Sequence, residues 1–438
     1  MTRSTDSSPI HEHRALQRTV GLGGATMLGL GSIVGTGVFV SIGLGADAAG
    51  GWVLLATPLA ALLAACNALS SAQLAAAHPV SGGTYEYAHR LLRPWIGFGA
   101  GWLFLCAKSA SAATAALGFG GYTLTLLQID HPALRAALPL LGIALLTSLV
   151  LSGLRRSSTI NTAIVAFTIL SLLALIVAAL ATRGYAEDDS GSGPVPFSGL
   201  GLLEASALMF VAYTGYGRIA TLGEEVRDPQ RIIPRAIILT LLVSAALYLG
   251  VAWGALRLLG SDGLGQATHA TGAPLQAAAD STGLPWLSIL IAIGAISAML
   301  GVLLNLILGL SRVVLAMARR GDAPGILAGL DRSGQTPVWS TLLVGLAIAA
   351  IAASGSIELA WSLSAYTVLL YYAVTNAAAL ALPAGSRLYP RWIAWAGLLA
   401  CGSLAWWVEA RAWIAGLALL GVGFVLRWAW RRYAPARS

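Results

Sequence analysis

A chain of 438 residues that is 57% hydrophobic and only 10% charged, with a mean hydropathy of +0.78, carries more apolar surface than a water-soluble core buries. That composition excludes a soluble globular domain and a disordered chain, and points to a helical protein that crosses a bilayer many times. The net charge of +8 is accounted for by the arginine distribution below, and nucleic-acid binding is not expected.

In chain order, residues 1–18 are polar, and the first apolar run is too long for the core of a cleavable signal. Apolar runs of spanning length, roughly 17–25 residues, fall near 20–44, 52–77, 95–127, 133–152, 160–182, 199–222, 234–258, 285–318, 338–354, 357–383, 391–408 and 411–430. The third and eighth exceed the usual length and imply strong tilt. With both termini placed in the cytoplasm, nineteen arginines fall on inside segments, and only Arg135, Arg183, Arg257 and Arg411 fall outside. The bias alternates along all twelve runs, as the positive-inside rule requires. The acidic cluster at 187–189 lies outside, and the basic excess is an orientation signal.

The first run contains Gly31-Ser32-Ile33-Val34-Gly35-Thr36-Gly37. Interior glycine costs about 1 kcal/mol against alanine in a helix, and an unpaired backbone group in lipid costs several kcal/mol more. The stretch is therefore either a break whose freed N–H and C=O groups meet a polar ligand, or a small-residue face for close helix packing. The sixth run contains Phe210-Val211-Ala212-Tyr213-Thr214-Gly215-Tyr216-Gly217, again glycines and a hydroxyl within an apolar span. Two interrupted spans five apart, running in opposite directions, point to an inverted-repeat transporter with its site where the breaks meet. Half-helix N-termini suit a carboxylate, and half-helix C-terminal carbonyls suit an ammonium group. An α-amino acid carries both.

Besides the arginines at run ends counted above, three basic residues lie within the runs: Lys108, the only lysine, Arg218, and Arg312 near an inner end. A mid-membrane charge costs at least about 2.5–3.5 kcal/mol, so it faces a cavity or a partner. Lys108 is either a structural hydrogen-bond donor or a gating or coupling cation, and Arg218 has Glu224 and Glu225 nearby to neutralise. Cys66, Cys106 and Cys401 lack metal-ligand spacing and read as small packing residues. The six histidines lie in tails, loops or span ends, and no catalytic constellation is visible, so no enzyme is expected.

These segments together resemble the amino acid–polyamine–organocation superfamily of secondary transporters. The residues 31–37 with Val38 and Phe39 resemble its first-helix motif. Pro79-Val80-Ser81-Gly82-Gly83-Thr84-Tyr85-Glu86-Tyr87 resembles its P-x-(S/A)-G-G-x-Y-x-Y loop. Glu224-Glu225-Val226-Arg227-Asp228-Pro229 through Pro234 resembles the segment after the sixth helix, and Ala316-Met317-Ala318-Arg319-Arg320-Gly321-Asp322-Ala323-Pro324 the end of the eighth. The resemblance implies an all-α integral membrane protein of twelve helices with a LeuT-like five-plus-five inverted repeat and broken first and sixth helices. It divides the chain into a cytoplasmic tail (1–19), a first repeat (20–182), a second repeat (199–383), and two further helices with a cytoplasmic tail (389–438).

The resemblance also implies roles. Thr36 and Gly37 match backbone donors for a substrate carboxylate, framed by Ser32 and Gly35. The carbonyl of Ile33 matches an acceptor for the α-ammonium, and those of Phe210, Val211 and Thr214 a second acceptor set. Tyr213 and Tyr216 match wall or gate positions, and Glu86, Glu224, Glu225 and Arg231 fit loop salt bridging. Some proton-coupled members carry a lysine in the fifth helix where Thr168 stands here. Sodium coupling would draw on hydroxyls such as Ser297. Coupling to H+ or Na+ and uncoupled exchange all stay open, so symport and antiport do too.

No Asp or Glu lies in the middle of any run, and Gly217 stands where some cation-transporting relatives have an acid. A neutral amino acid is therefore expected rather than arginine or a polyamine. Trp361 and Tyr366 serve as outer gate residues or simply pack. The expected protein is an amino acid permease of the cytoplasmic membrane with no cofactor, whose partners are its substrate and the bilayer. The alternatives are a cationic amino acid or polyamine exchanger and a non-transporting sensor of the same fold. Oligomeric state is not legible.

Overall fold

The computed structural model describes residues 20–78, 83–153, 158–182, 197–220, 226–331 and 336–433. Residues 79–82, Arg155, Arg156, Arg183, the cluster at 187–189, Glu224, Glu225, Arg332 and both chain ends lie outside the described residues. Among the described residues the regular structure is helical, apart from one isolated backbone bridge between Val20 and Val226.

The first apolar run forms two helices, α1 (Leu22–Ile33) and α2 (Thr36–Ala49). Then come α3 (Val53–Ala77), α4 (Thr84–Leu91), α5 (Pro94–Leu126), α6 (Pro132–Leu151) and α7 (Ser158–Ala181). The sixth run is α8 (Gly199–Tyr213), a 3-10 turn at Thr214–Tyr216, and α9 (Gly217–Ala220). The remainder is α10 (Pro229–Thr271), α11 (Pro274–Asp280), α12 (Pro285–Arg319), α13 (Val338–Ala352), α14 (Ile357–Leu380), α15 (Arg391–Leu404) and α16 (Ala410–Tyr433). Five of these, α5, α6, α10, α11 and α12, start with proline, whose fixed φ and missing N–H suit the first helical turn. Ser198 and Ser356 cap α8 and α14 by accepting from Gly201 N–H at 3.1 Å and Leu359 N–H at 3.0 Å.

Eight helical stretches are long and apolar enough to cross a membrane. One of them, Thr36–Ala77, joins α2 to α3 through a turn at Gly50, whose φ of +59° favours glycine. The seventh run is longer than its hydropathy suggests: helix continues past 258 to Thr271, with a kink at Gly260 (φ 72°, ψ 170°).

The 33 residues of α5 make a rod about 50 Å long, well beyond a hydrocarbon core of about 30 Å. It packs along α12 and α14 at the centre of the molecule. Its middle turns carry Ala107, Ala110, Ala112, Ala113, Ala115 and Ala116, all fully buried. Small side chains let helix backbones approach closely where lipid supplies no hydrophobic drive between helices. Leu62, Leu141, Leu145, Leu170, Leu180 and Leu346 point outward instead, each more than 60% exposed, which suits a surface solvated by lipid tails.

Candidate functional site

The helix stops at Ile33 because Val34 (ψ 91°) and Gly35 (φ −165°, ψ −134°) are extended. Val34 N–H still closes onto Leu30 C=O at 2.7 Å, and α2 then starts with no side-chain cap. The first N–H groups of α2 therefore face into the break as donors with a positive dipole end. Gly35 is required by close approach: a Cβ there would stand 2.6 Å from a methyl of Val302 on α12.

The second interruption is tighter than the sequence implies. Thr214 N–H and Thr214 Oγ1 both donate to Val211 C=O, the hydroxyl at 2.7 Å, so a 3-10 turn replaces an open gap. A Val211 carbonyl that accepts twice has no lone pair left for an ammonium group. The carbonyl of Thr214 accepts from Tyr372 Oη at 3.3 Å.

The two interruptions lie against each other. A Cβ on Gly215 would overlap the Ser32 carbonyl and stand 2.7 Å from Ile33 N, and a Cβ on Gly37 would stand 2.6 Å from Ala212 Cβ. Tyr248 on α10 bridges them: its hydroxyl donates to Ile33 C=O at 2.7 Å, with Ala212 C=O at 3.3 Å. An isolated tyrosine in an apolar run gives no sequence signal for that role. Its partners are distant in the chain.

A cavity of about 60 Å³ remains between the interruptions. Ser32, Ile33, Thr36 and Gly37 line one side, Val211, Ala212, Thr214 and Gly215 another. Lys108 and Ser111 of α5 and Trp361 of α14 complete the polar lining, while Val302 and Leu306 of α12 are apolar. Lys108 Nζ donates to Thr214 Oγ1 at 2.8 Å. Thr36 Oγ1 is buried with no partner among the described residues. Ser32 Oγ turns back to Leu28 C=O at 2.9 Å, Ser111 pairs with Ser364 at 2.7 Å, and Trp361 donates to Leu208 C=O at 3.0 Å.

The other expected site residues stand behind this lining. Phe210 sits edge-on to Tyr372 at 5.7 Å, Tyr213 lies tilted against Tyr248 at 5.0 Å, and Tyr216 lies 5.5 Å from Tyr372. Thr168 and Ser297 donate to carbonyls of their own helices, at Ile164 and Gly294. Arg218 is exposed and engaged, while its expected partners Glu224 and Glu225 lie outside the described residues. Tyr366 is buried against Trp406, away from the cavity.

A larger cavity, about 620 Å³, opens beside the far ends of α5, α10 and α14, with Arg135, His269 and Glu358 in its wall. His269 there lies 3.0 Å from Asp47 and 3.8 Å from Glu358. Charge also collects at the opposite end of α5. Asp322 accepts from Tyr85 Oη, Arg427 Nε and Arg431 Nη2, each at 2.9 Å. Glu86 accepts from Arg90 at 2.6 Å and from Arg320, which fits the loop salt bridging expected of it. Burial would raise the Glu86 carboxyl, but the two guanidinium groups outweigh it and hold it below the ordinary range.

A helical membrane protein with a polar cavity between two facing interruptions is of the membrane-carrier class. The comparisons narrow the class. The family model for amino acid permeases matches residues 24–430. An uncharacterized transporter of Mycobacterium tuberculosis is 41% identical over 423 residues, 97% of this chain and 93% of that protein. The methylthioribose transporter of Bacillus subtilis is 31% identical, over 77% of this chain and 75% of its own length. A branched-chain amino acid permease of the same organism is 30% identical, over 76% and 74%. The chain belongs to the amino acid permease family, and its relatives are transporters rather than enzymes.

Proposed function

We propose that this protein is a secondary active transporter that moves neutral amino acids across the cytoplasmic membrane by alternating access. In this reading the chain crosses the bilayer twelve times with both termini in the cytoplasm. Residues 20–182 and 199–383 form the two inverted repeats, and helices 11 and 12 follow. The substrate's carboxylate meets the N-terminus of α2 at Thr36 and Gly37, and its ammonium meets carbonyls at the end of α1, with Ile33 sharing one lone pair with Tyr248.

The observation that carries the reading is the cavity between the interruptions: residues at the ends of the broken helices line it, and among the described residues no carboxylate does. A dibasic substrate would bring a second positive charge with nothing in the lining to compensate it. The relatives' names span methylthioribose, branched-chain amino acids and cationic amino acids, so family membership leaves the substrate open. A volume of about 60 Å³ holds only a few waters. Larger side chains therefore need Val302, Leu306 or Trp361 to move, as alternating access provides.

Uptake of a radiolabelled amino acid panel into proteoliposomes tests the reading. Saturable uptake of one or more neutral amino acids is expected. Uptake confined to arginine or polyamines supports the exchanger alternative, and ligand-induced stabilisation without flux supports the sensor.

A further inference from the structure

We propose that Lys108 selects substrates by charge: its ammonium makes the central cavity electropositive, so that it rejects cationic side chains and favours a carboxylate there over an ammonium. The proposal rests on the reading of this cavity as the substrate site.

Lys108 projects from the middle of α5 into the cavity lining. Among the described residues its one side-chain hydrogen-bond partner is Thr214 Oγ1 at 2.8 Å. The Thr214 hydroxyl gives its own proton to Val211 C=O, so it presents a lone pair to the ammonium and fixes its position without neutralising it. Two ammonium protons have no acceptor among the described residues. Among the described residues no carboxylate pairs with Lys108, and the cavity lining contains none. The uncapped start of α2, with Thr36 and Gly37, adds a second positive element to the same cavity.

Nζ lines the cavity together with Val302, Leu306 and Trp361, so a charged side chain that enters as those residues move aside passes close to it. Two unit positive charges about 6 Å apart at an effective dielectric near 20 repel by roughly 2.8 kcal/mol, which is about a hundredfold in affinity. A carboxylate at the same distance is attracted on the same scale. Lys108 is thus a specificity-determining residue, distinct from a gate that opens and closes for every substrate alike.

The test measures binding of norleucine, lysine, glutamine and glutamate to purified wild-type protein, Lys108→Met, Lys108→Gln and Thr36→Val. Norleucine and lysine have equal chain length and differ by one charge. Wild type is expected to bind norleucine about a hundredfold more tightly than lysine, and glutamate no worse than glutamine. Lys108→Met and Lys108→Gln should each shrink the norleucine-to-lysine ratio by more than tenfold, and Thr36→Val should weaken all ligands without changing it. A wild-type preference for lysine overturns the proposal even if both Lys108 variants fail to fold. An unchanged ratio in folded Lys108 variants, with Thr36→Val still weakening binding, overturns it while leaving the site standing. No effect from any variant overturns the site reading along with it.

Discussion

Gly215→Ala perturbs the contact between the two interruptions by one methyl group. Gly215 does not have positive φ, so alanine can adopt its backbone and the effect is steric. The added Cβ would overlap the carbonyl carbon and oxygen of Ser32 and stand 2.7 Å from Ile33 N. All three are backbone atoms, and none can swing aside. Ordinary C···O contacts lie near 3.3–3.6 Å, so the end of α1 and the turn at 214–216 must separate by on the order of 1 Å. Overpacking of this kind costs about 1–3 kcal/mol, and a displacement of about 1 Å at a binding site can cost on the order of a hundredfold in rate. Gly217→Ala is the control: its Cβ would meet only Tyr372 Oη at 3.5 Å, an ordinary contact. Proteoliposome uptake and thermal unfolding in detergent should show Gly215→Ala slower by ten- to a hundredfold and less stable, with Gly217→Ala near wild type. Wild-type uptake and stability in Gly215→Ala would refute the claim that the two interruptions meet through backbone.

Tyr248→Phe removes the donor to Ile33 and Ala212 carbonyls, and should cost about 0.5–1.5 kcal/mol of stability and raise the KM for uptake several-fold. Asp322→Asn leaves Arg427 buried without its counter-charge, and thermal or chaotrope unfolding should show a loss of about 3–5 kcal/mol. The Glu86 carboxyl is held below its ordinary value in the folded protein. Its contribution is therefore fully present above the unfolded-chain value near pH 4.3 and is lost as pH falls through the lower folded value. Unfolding temperature in detergent should drop steeply below about pH 4, and Glu86→Gln should flatten that drop.

The first interruption was legible because three glycines and two hydroxyls are costly inside an apolar helix. The structure breaks the helix inside that stretch, at Val34 and Gly35. The second was legible as a disturbance but not as a tight turn, since that depends on one hydroxyl closing onto Val211. Lys108 stood out as the only lysine, set within a span, but its partner Thr214 lies 106 positions away and no periodicity links them. Asp322 is the clearest omission. It sits in a quoted motif, yet its partners Arg427 and Arg431 read only as orientation markers until the fold brings them together. Tyr248 was missed for the same reason: apolar spacing places a side chain inward but does not name the carbonyl it meets.

The central claim is that an amino acid crosses the membrane through the cavity between the interruptions. Counterflow tests it most directly: liposomes holding wild-type protein or Gly35→Leu are preloaded with an unlabelled neutral amino acid, and entry of the labelled form is followed. The account predicts transient accumulation with wild type. It predicts none with a folded Gly35→Leu, whose side chain would be driven against Val302 and into the break. Accumulation at the wild-type rate in Gly35→Leu, or binding by wild type with no accumulation, would contradict it.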